Sequence, residues 1–212
     1  MKRFLSLLSF AIFALVATSS AQSLRYGVMG AMNLSNYAMS DNGVSFDADS
    51  RVGFKAGFQM EWNADFITEG AYFDFGALIS SRGAKLSSSV GDISVDWTSR
   101  PYYLEIPMHI GYSVNLGASD RVSLFASFGP YIAVGLWGTD KVVVASEKSN
   151  PDTFSDDSLK RFDFGLGLKG GVRLFDNYRV YIGYDWGLLN VAQSSGFKIN
   201  NRNFYVGAAY MF

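Results

Sequence analysis

Apolar side chains recur at every second position through most of the chain. The clearest run is 161–174, where Phe162, Phe164, Leu166, Leu168, Val172 and Leu174 alternate with Arg161, Asp163, Gly165, Gly167, Lys169, Gly171 and Arg173. A period of two belongs to a β-strand whose two faces meet different surroundings. Eight such segments are predicted, at 26–37, 52–62, 71–81, 100–114, 121–137, 161–174, 179–189 and 203–212. Most reach the ~9–11 residues that a tilted strand needs to cross a bilayer. The last segment places Phe204, Val206, Ala208, Tyr210 and Phe212 on one face and stops on that aromatic. The connections alternate as well. Those at 63–70, 115–120 and 175–178 are short, while 41–51, 82–99, 138–160 and 192–201 are longer and polar. Short turns at one rim and long loops at the other predict an all-β, eight-stranded antiparallel up-and-down transmembrane β-barrel, with both termini on the periplasmic side.

The opposite face of each segment decides which way the barrel is turned. It carries Lys55, Glu61, Asp74, Glu105, His109, Asp163, Lys169, Arg173 and Asp185, among many Gly and Ser residues. A soluble lipocalin-like barrel would point its apolar face inward. The interior of an eight-stranded barrel is too narrow for that much Phe, Leu, Ile and Trp. Small residues and paired charges do fit it. A charge facing the bilayer midplane would cost ~2–4 kcal/mol, and the apolar face is almost free of charge. The polar set is therefore read as an interior network, in which Glu105, Asp163 or Asp185 meets Lys55, Lys169 or Arg173, because isolated buried charge is costly. Trp62, Tyr112, Phe175, Tyr178, Tyr210 and Phe212 towards the turns, and Trp97, Trp137 and Trp186 towards the loops, read as two interfacial girdles.

Composition sharpens the address. Lys2 and Arg3, an apolar stretch at 4–16, and Ser19 and Ala21 before Gln22 have the form of a secretory signal. The expected division is a signal peptide at 1–21 and a barrel domain at 22–212. The apolar stretch is too short for a spanning helix. The chain has no Cys, which excludes disulfides and thiolate metal sites. A net charge of −1 gives no footing for nucleic acid. No cofactor or metal is expected.

A resemblance follows from specific residues. Gly207, Tyr210 and Phe212, in the order Gly, two residues, aromatic, one residue, terminal aromatic, resemble the carboxy-terminal assembly signal of outer-membrane barrels. The segments 103–107 (Tyr-Leu-Glu-Ile-Pro), 128–131 (Phe-Gly-Pro-Tyr) and 161–165 (Arg-Phe-Asp-Phe-Gly) resemble those of the PorT-type outer-membrane β-barrel proteins of Bacteroidetes. The resemblance implies a porin-like eight-stranded barrel in a Gram-negative cell outer membrane, inserted by the barrel-assembly machinery. Its expected partners are outer-membrane lipid, that machinery, and an unidentified extracellular or envelope protein.

Candidate chemistry is sparse. The Gly165-Leu166-Gly167-Leu168-Lys169-Gly170 motif lies within an alternating strand rather than at a strand-to-helix turn, so it is not a dinucleotide site. His109, the one histidine, has Glu105 and Ser113 four residues to either side, ~13 Å away along a strand and beyond hydrogen-bond reach. Glu147, Asp152, Asp156 and Asp157 lie in a loop whose spacing fits no EF-hand, and they are read, like Asp47 and Asp49, as solvated surface. The expected function is non-enzymatic. It is a structural or interaction role carried by extracellular loops, linked to envelope integrity or secretion. The alternatives are a lipid-modifying enzyme using His109, or a narrow channel.

Overall fold

A computed structural model describes residues 24–41, 44–90, 93–117, 121–144, 147–155, 158–194 and 196–212. The predicted signal peptide lies outside the described residues, as do Asp156 and Asp157 of the acidic loop. The strands, in chain order, are β1 (Leu24–Asp41), β2 (Val44–Asp47), β3 (Asp49–Asn63), β4 (Ala71–Ser81), β5 (Ala84–Val90), β6 (Ile93–Asn115), β7 (Val122–Val144), β8 (Glu147–Ser149), β9 (Phe162–Leu174), β10 (Tyr178–Gly187) and β11 (Phe197–Met211). Eight of them, β1, β3, β4, β6, β7, β9, β10 and β11, pair antiparallel in that order. The ring closes where β1 pairs β11, from Gly27↔Met211 to Asp41↔Phe197. The Phe212 amide adds a last bond to the Tyr26 carbonyl at 2.7 Å. Closure leaves no sheet edge along the wall, which is the condition for strands to cross hydrocarbon.

The period-two pattern sorts the side chains as its sequence implies. Met32, Phe58, Val52 and Ile182 point outward, and the first two are 68% and 71% exposed. A wall this apolar is stable only against hydrocarbon. The inward positions alternate with them and are buried. Tyr37, Tyr72, Tyr103, Tyr131, Tyr181 and Tyr205 all point inward, so the lumen is filled by phenol rings as well as by small residues and charges. The interior glycines make room for those rings. A Cβ at Gly111 would overlap the ring of Tyr72, and one at Gly183 the ring of Tyr205.

The long polar connections differ from expectation. Much of 82–99 and 138–160 is strand: β5 pairs the first part of β6, and β7 runs on to Val144, where β8 pairs it. These ribbons stand beyond the apolar belt. Towards the ribbon tips both faces meet water, so the hydrogen-bond ladder continues while the alternating apolar signal fades, as at Ser87 and Ser88. A bulge shifts the β6–β7 register, with Tyr102 opposite Trp137 and Tyr103 opposite Gly135. It reverses the facing of β7, turning Asp140 and Val142 inward. Trp97, expected in the outer girdle, shares the inward facing of Ser99 and Tyr103. It packs against the closed end of the barrel, whereas Trp137 remains outside and 55% exposed.

Candidate functional site

The lumen is a stack of buried charge pairs. Nearest the hairpin end, the Arg82 guanidinium reaches Glu105 and lies 3.1 Å from Asp163. Tyr131 donates to the same Asp163 oxygen at 3.0 Å, as does Asn201 at 3.0 Å. The Arg82 guanidinium also lies over the rings of Tyr131 and Tyr103, 4.8 and 5.4 Å from their centroids. Lys55 joins this group, 2.6 Å from Glu105 and 2.7 Å from Asp185. It stands 4.1 Å above the Tyr205 ring. Asn203 completes the Asp185 shell at 2.9 Å. In the middle tier Lys169 pairs Asp74. Towards the turns Arg173 meets Glu61 at 3.0 Å, and Arg179 takes its other oxygen. Five basic and five acidic groups thus meet across the lumen in ion pairs. Such balance offsets the desolvation that a lone buried charge would suffer.

Eight of the nine predicted interior residues, Lys55, Glu61, Asp74, Glu105, Asp163, Lys169, Arg173 and Asp185, lie in this stack. Lys169 and Arg173 take Asp74 and Glu61 rather than the three acids expected for them. Two members were missed. Arg82 falls within the predicted 82–99 connection, although it follows Ser80 at the same facing. Arg179 opens the predicted 179–189 strand and shares the facing of Tyr181 and Asp185. Carrying the alternation two residues further at each strand end finds both.

His109 points into the lumen and is only 4% exposed. Neither ring nitrogen has a hydrogen-bond partner among the described residues. Glu105 is held by Lys55 and Arg82, and Ser113 donates to the Gly70 carbonyl. Neither is brought to the imidazole. Beside His109 lies a void of about 10 Å³, bordered by Gln59, Asp74, Lys169 and Asp185. That is room for about one water.

The hairpin end is closed by an apolar cap. Tyr37, Tyr103, Tyr131, Phe154, Leu159, Val191 and Ile199 pack together, with Trp97 and Phe197 against them. Phe154 meets the Tyr103 ring edge-on at 5.7 Å. Gly135 leaves the space that its ring occupies. Asp140 ties the cap down. It accepts from Thr153 at 2.6 Å, Ser99 at 2.8 Å and the Trp97 indole at 3.0 Å. The stretch around Thr153 and Phe154, expected as solvated loop, is therefore folded into the mouth. Its apolar Phe and Leu residues gain more from burial than its charges lose, since Asp152 stays at the surface and caps the Phe154 amide. The turn end is open, with a vestibule of about 650 Å³ lined by Arg25, Glu61, Tyr72, Tyr112, Arg173 and Asp176 among others. No cluster of three metal-ligating side chains exists among the described residues.

At the closing seam Gly207 sits opposite Ala31 and Tyr181, and Tyr210 packs edge-on against Tyr178 and Phe212. Phe212 is 70% exposed at the turn rim.

A family model described as outer membrane protein beta-barrel domain matches residues 20–193. The chain belongs to this family. The barrel is thus an outer-membrane protein, and its apolar wall faces the lipid of that membrane. Solved structures of similar fold include the attachment invasion locus protein Ail of Yersinia pestis, at 13% identity over 90% of this chain and 99% of that one, with a TM-score of 0.42. Neisserial surface protein A is 12% identical over 88% and 97% of the two chains, with a TM-score of 0.40. OprG from Pseudomonas aeruginosa is 8% identical over 90% and 96%, with a TM-score of 0.46. No curated protein matches the chain.

Proposed function

We propose that this outer-membrane barrel is non-enzymatic and non-conducting, and that it serves as a structural or interaction protein through the hairpins at its capped end. The observation that carries the reading is the lumen itself, where paired charges are stacked beneath an apolar cap. Ions entering the vestibule would have to break those pairs. In this reading the hairpins face outside, the turns and both termini face the periplasm, and residues 1–21 are the export signal. The partner is an extracellular or envelope protein, and the finer placement among PorT-type barrels rests on the segments that resemble them. A lipid-modifying role draws no support from His109, which is walled in and, among the described residues, makes no hydrogen bond to a Ser or to the nearby Asp74 and Asp185. Planar-bilayer recording of the purified protein is expected to give no steady current, and incubation with lipid A or phospholipid no turnover. Turnover that His109→Ala abolishes would overturn the non-enzymatic reading.

Phe212, exposed at the rim, is available to the barrel-assembly machinery together with Gly207 and Tyr210. Its deletion should lower membrane insertion far more than it lowers the stability of refolded protein. Normal membrane levels of that truncation would reduce the residue to a girdle aromatic.

A further inference from the structure

The cations of the lumen have carboxylate partners, but a group on the outer wall does not. Lys85 on β5 and Lys141 on β7 both stand directly opposite Thr98 on β6. Directly opposed residues of antiparallel strands share a face. Arg100 is two residues along β6 from Thr98 and so shares that face, and Tyr102 is two further on. Tyr102 stacks on Trp137, with ring centroids 5.3 Å apart. Lys85, Arg100 and Lys141 are exposed, and among the described residues none forms an ion pair or side-chain hydrogen bond. Two carboxylates share the face, Asp49 opposite Lys85 and Asp96 beyond Thr98, and neither closes to ion-pair distance. The turn rim leans the other way, with Asp65, Glu69 and Asp176 exposed against Arg121 and the half-buried Arg25.

Depth gives this cluster a meaning. Arg100 lies ~7 Å and Thr98 ~13 Å along the strand from the Tyr102–Trp137 pair. With the strands tilted ~45°, they rise ~5 and ~9 Å above it, through a headgroup layer roughly 5–8 Å thick. The face is continuous with the lipid-facing wall. An Arg fork and two Lys point charges around a Thr hydroxyl suit phosphate oxygens.

We propose that Lys85, Arg100 and Lys141, with the Thr98 hydroxyl at their centre, bind the phosphate groups of the outer-leaflet glycolipid, while Tyr102 and Trp137 rest at the boundary between its sugars and acyl chains. The assignment to the outer leaflet rests on the hairpin end facing outside. The full protein in detergent is titrated with diphosphorylated lipid A, phosphate-free lipid A and inorganic phosphate, and compared with the triple variant Lys85→Gln, Arg100→Gln, Lys141→Gln. Each charge removed is expected to weaken binding of the phosphorylated lipid by about a factor of five, or roughly hundredfold for all three. Phosphate-free lipid A should bind both proteins equally weakly, and inorganic phosphate at the same concentration should not compete. A charge-keeping variant, Lys85→Arg, Arg100→Lys, Lys141→Arg, should retain binding. Equal affinity of the parent and Gln variants would overturn the site, and competition by equimolar inorganic phosphate would overturn the headgroup as its ligand. Orientation is read separately by labelling Ser87→Cys on whole cells with a membrane-impermeant maleimide. Lipid binding without labelling would overturn the outward orientation and the leaflet. Labelling without lipid binding would overturn the site alone.

Discussion

At the hairpin end of the lumen, Arg82 spans Glu105 and Asp163 against the ring faces of Tyr103 and Tyr131, with the cap above. At the turn end, Arg173 and Arg179 share Glu61, and Arg173 and Glu61 border a vestibule of about 650 Å³. Both ends use Arg and carboxylate, yet they differ in what surrounds the pair. Arg82 and its two acids are almost completely removed from water, whereas the Arg173 side chain retains 13% exposure. The desolvation of the upper cluster makes each member depend on the others. The lower cluster keeps its access to solvent through Arg173, while Arg179 beside it is buried, and the two cations share one carboxylate. One closed end is sufficient to block passage, so the other is free to stay open.

The sharpest way to break this comparison is to remove one Arg from each end. Arg82→Met leaves Asp163 without a cation in a dry site and Glu105 with Lys55 alone, and should destabilise the barrel by ~3–5 kcal/mol, as expected when one partner of a buried pair is lost. Arg179→Met leaves Arg173 on Glu61 and should cost less than half of that. Urea unfolding in lipid vesicles measures both, and equal losses would erase the distinction between the two ends. Phe154→Ala tests the cap. Loss of a packed aromatic costs ~3 kcal/mol or more in a core, but here it should appear as local opening. The variant is expected to become cleavable within 147–160 by added protease while the barrel's global unfolding midpoint shifts little. The smallest effect belongs to His109→Leu, which replaces an imidazole that makes no hydrogen bond to the described residues. Exchanging a buried, unpaired polar group for an apolar one of similar size should change stability by less than about 1 kcal/mol in either direction. A loss of several kcal/mol would place the imidazole in the pairing network after all.

The barrel wall was legible in the chain because lipid on one side and a packed lumen on the other impose opposite demands on alternate residues. The run from Phe162 to Arg173 displays both demands at once. What escaped notice lies where one demand lapses. Beyond the belt, Ser87 and Ser88 meet water, so β5 leaves no apolar stripe. The bulge opposite Tyr102 turned Asp140 inward against the extrapolated pattern. The identities of the interior charges were visible, but their partners were not. Lys55 and Asp185 are 130 residues apart, and no local pattern specifies a contact across the lumen. Phe154 is the same lesson in an apolar form. A single aromatic in an acidic stretch carries no periodicity, and only the space left by Gly135 on another strand shows where it goes.

Single-channel recording in planar bilayers tests the closed lumen most directly. Vesicles carrying the intact protein should fuse without steady current across the physiological voltage range, because the Arg82, Lys55, Glu105, Asp163 and Asp185 cluster fills the passage beneath the cap. Reproducible ohmic steps from the intact protein would contradict it.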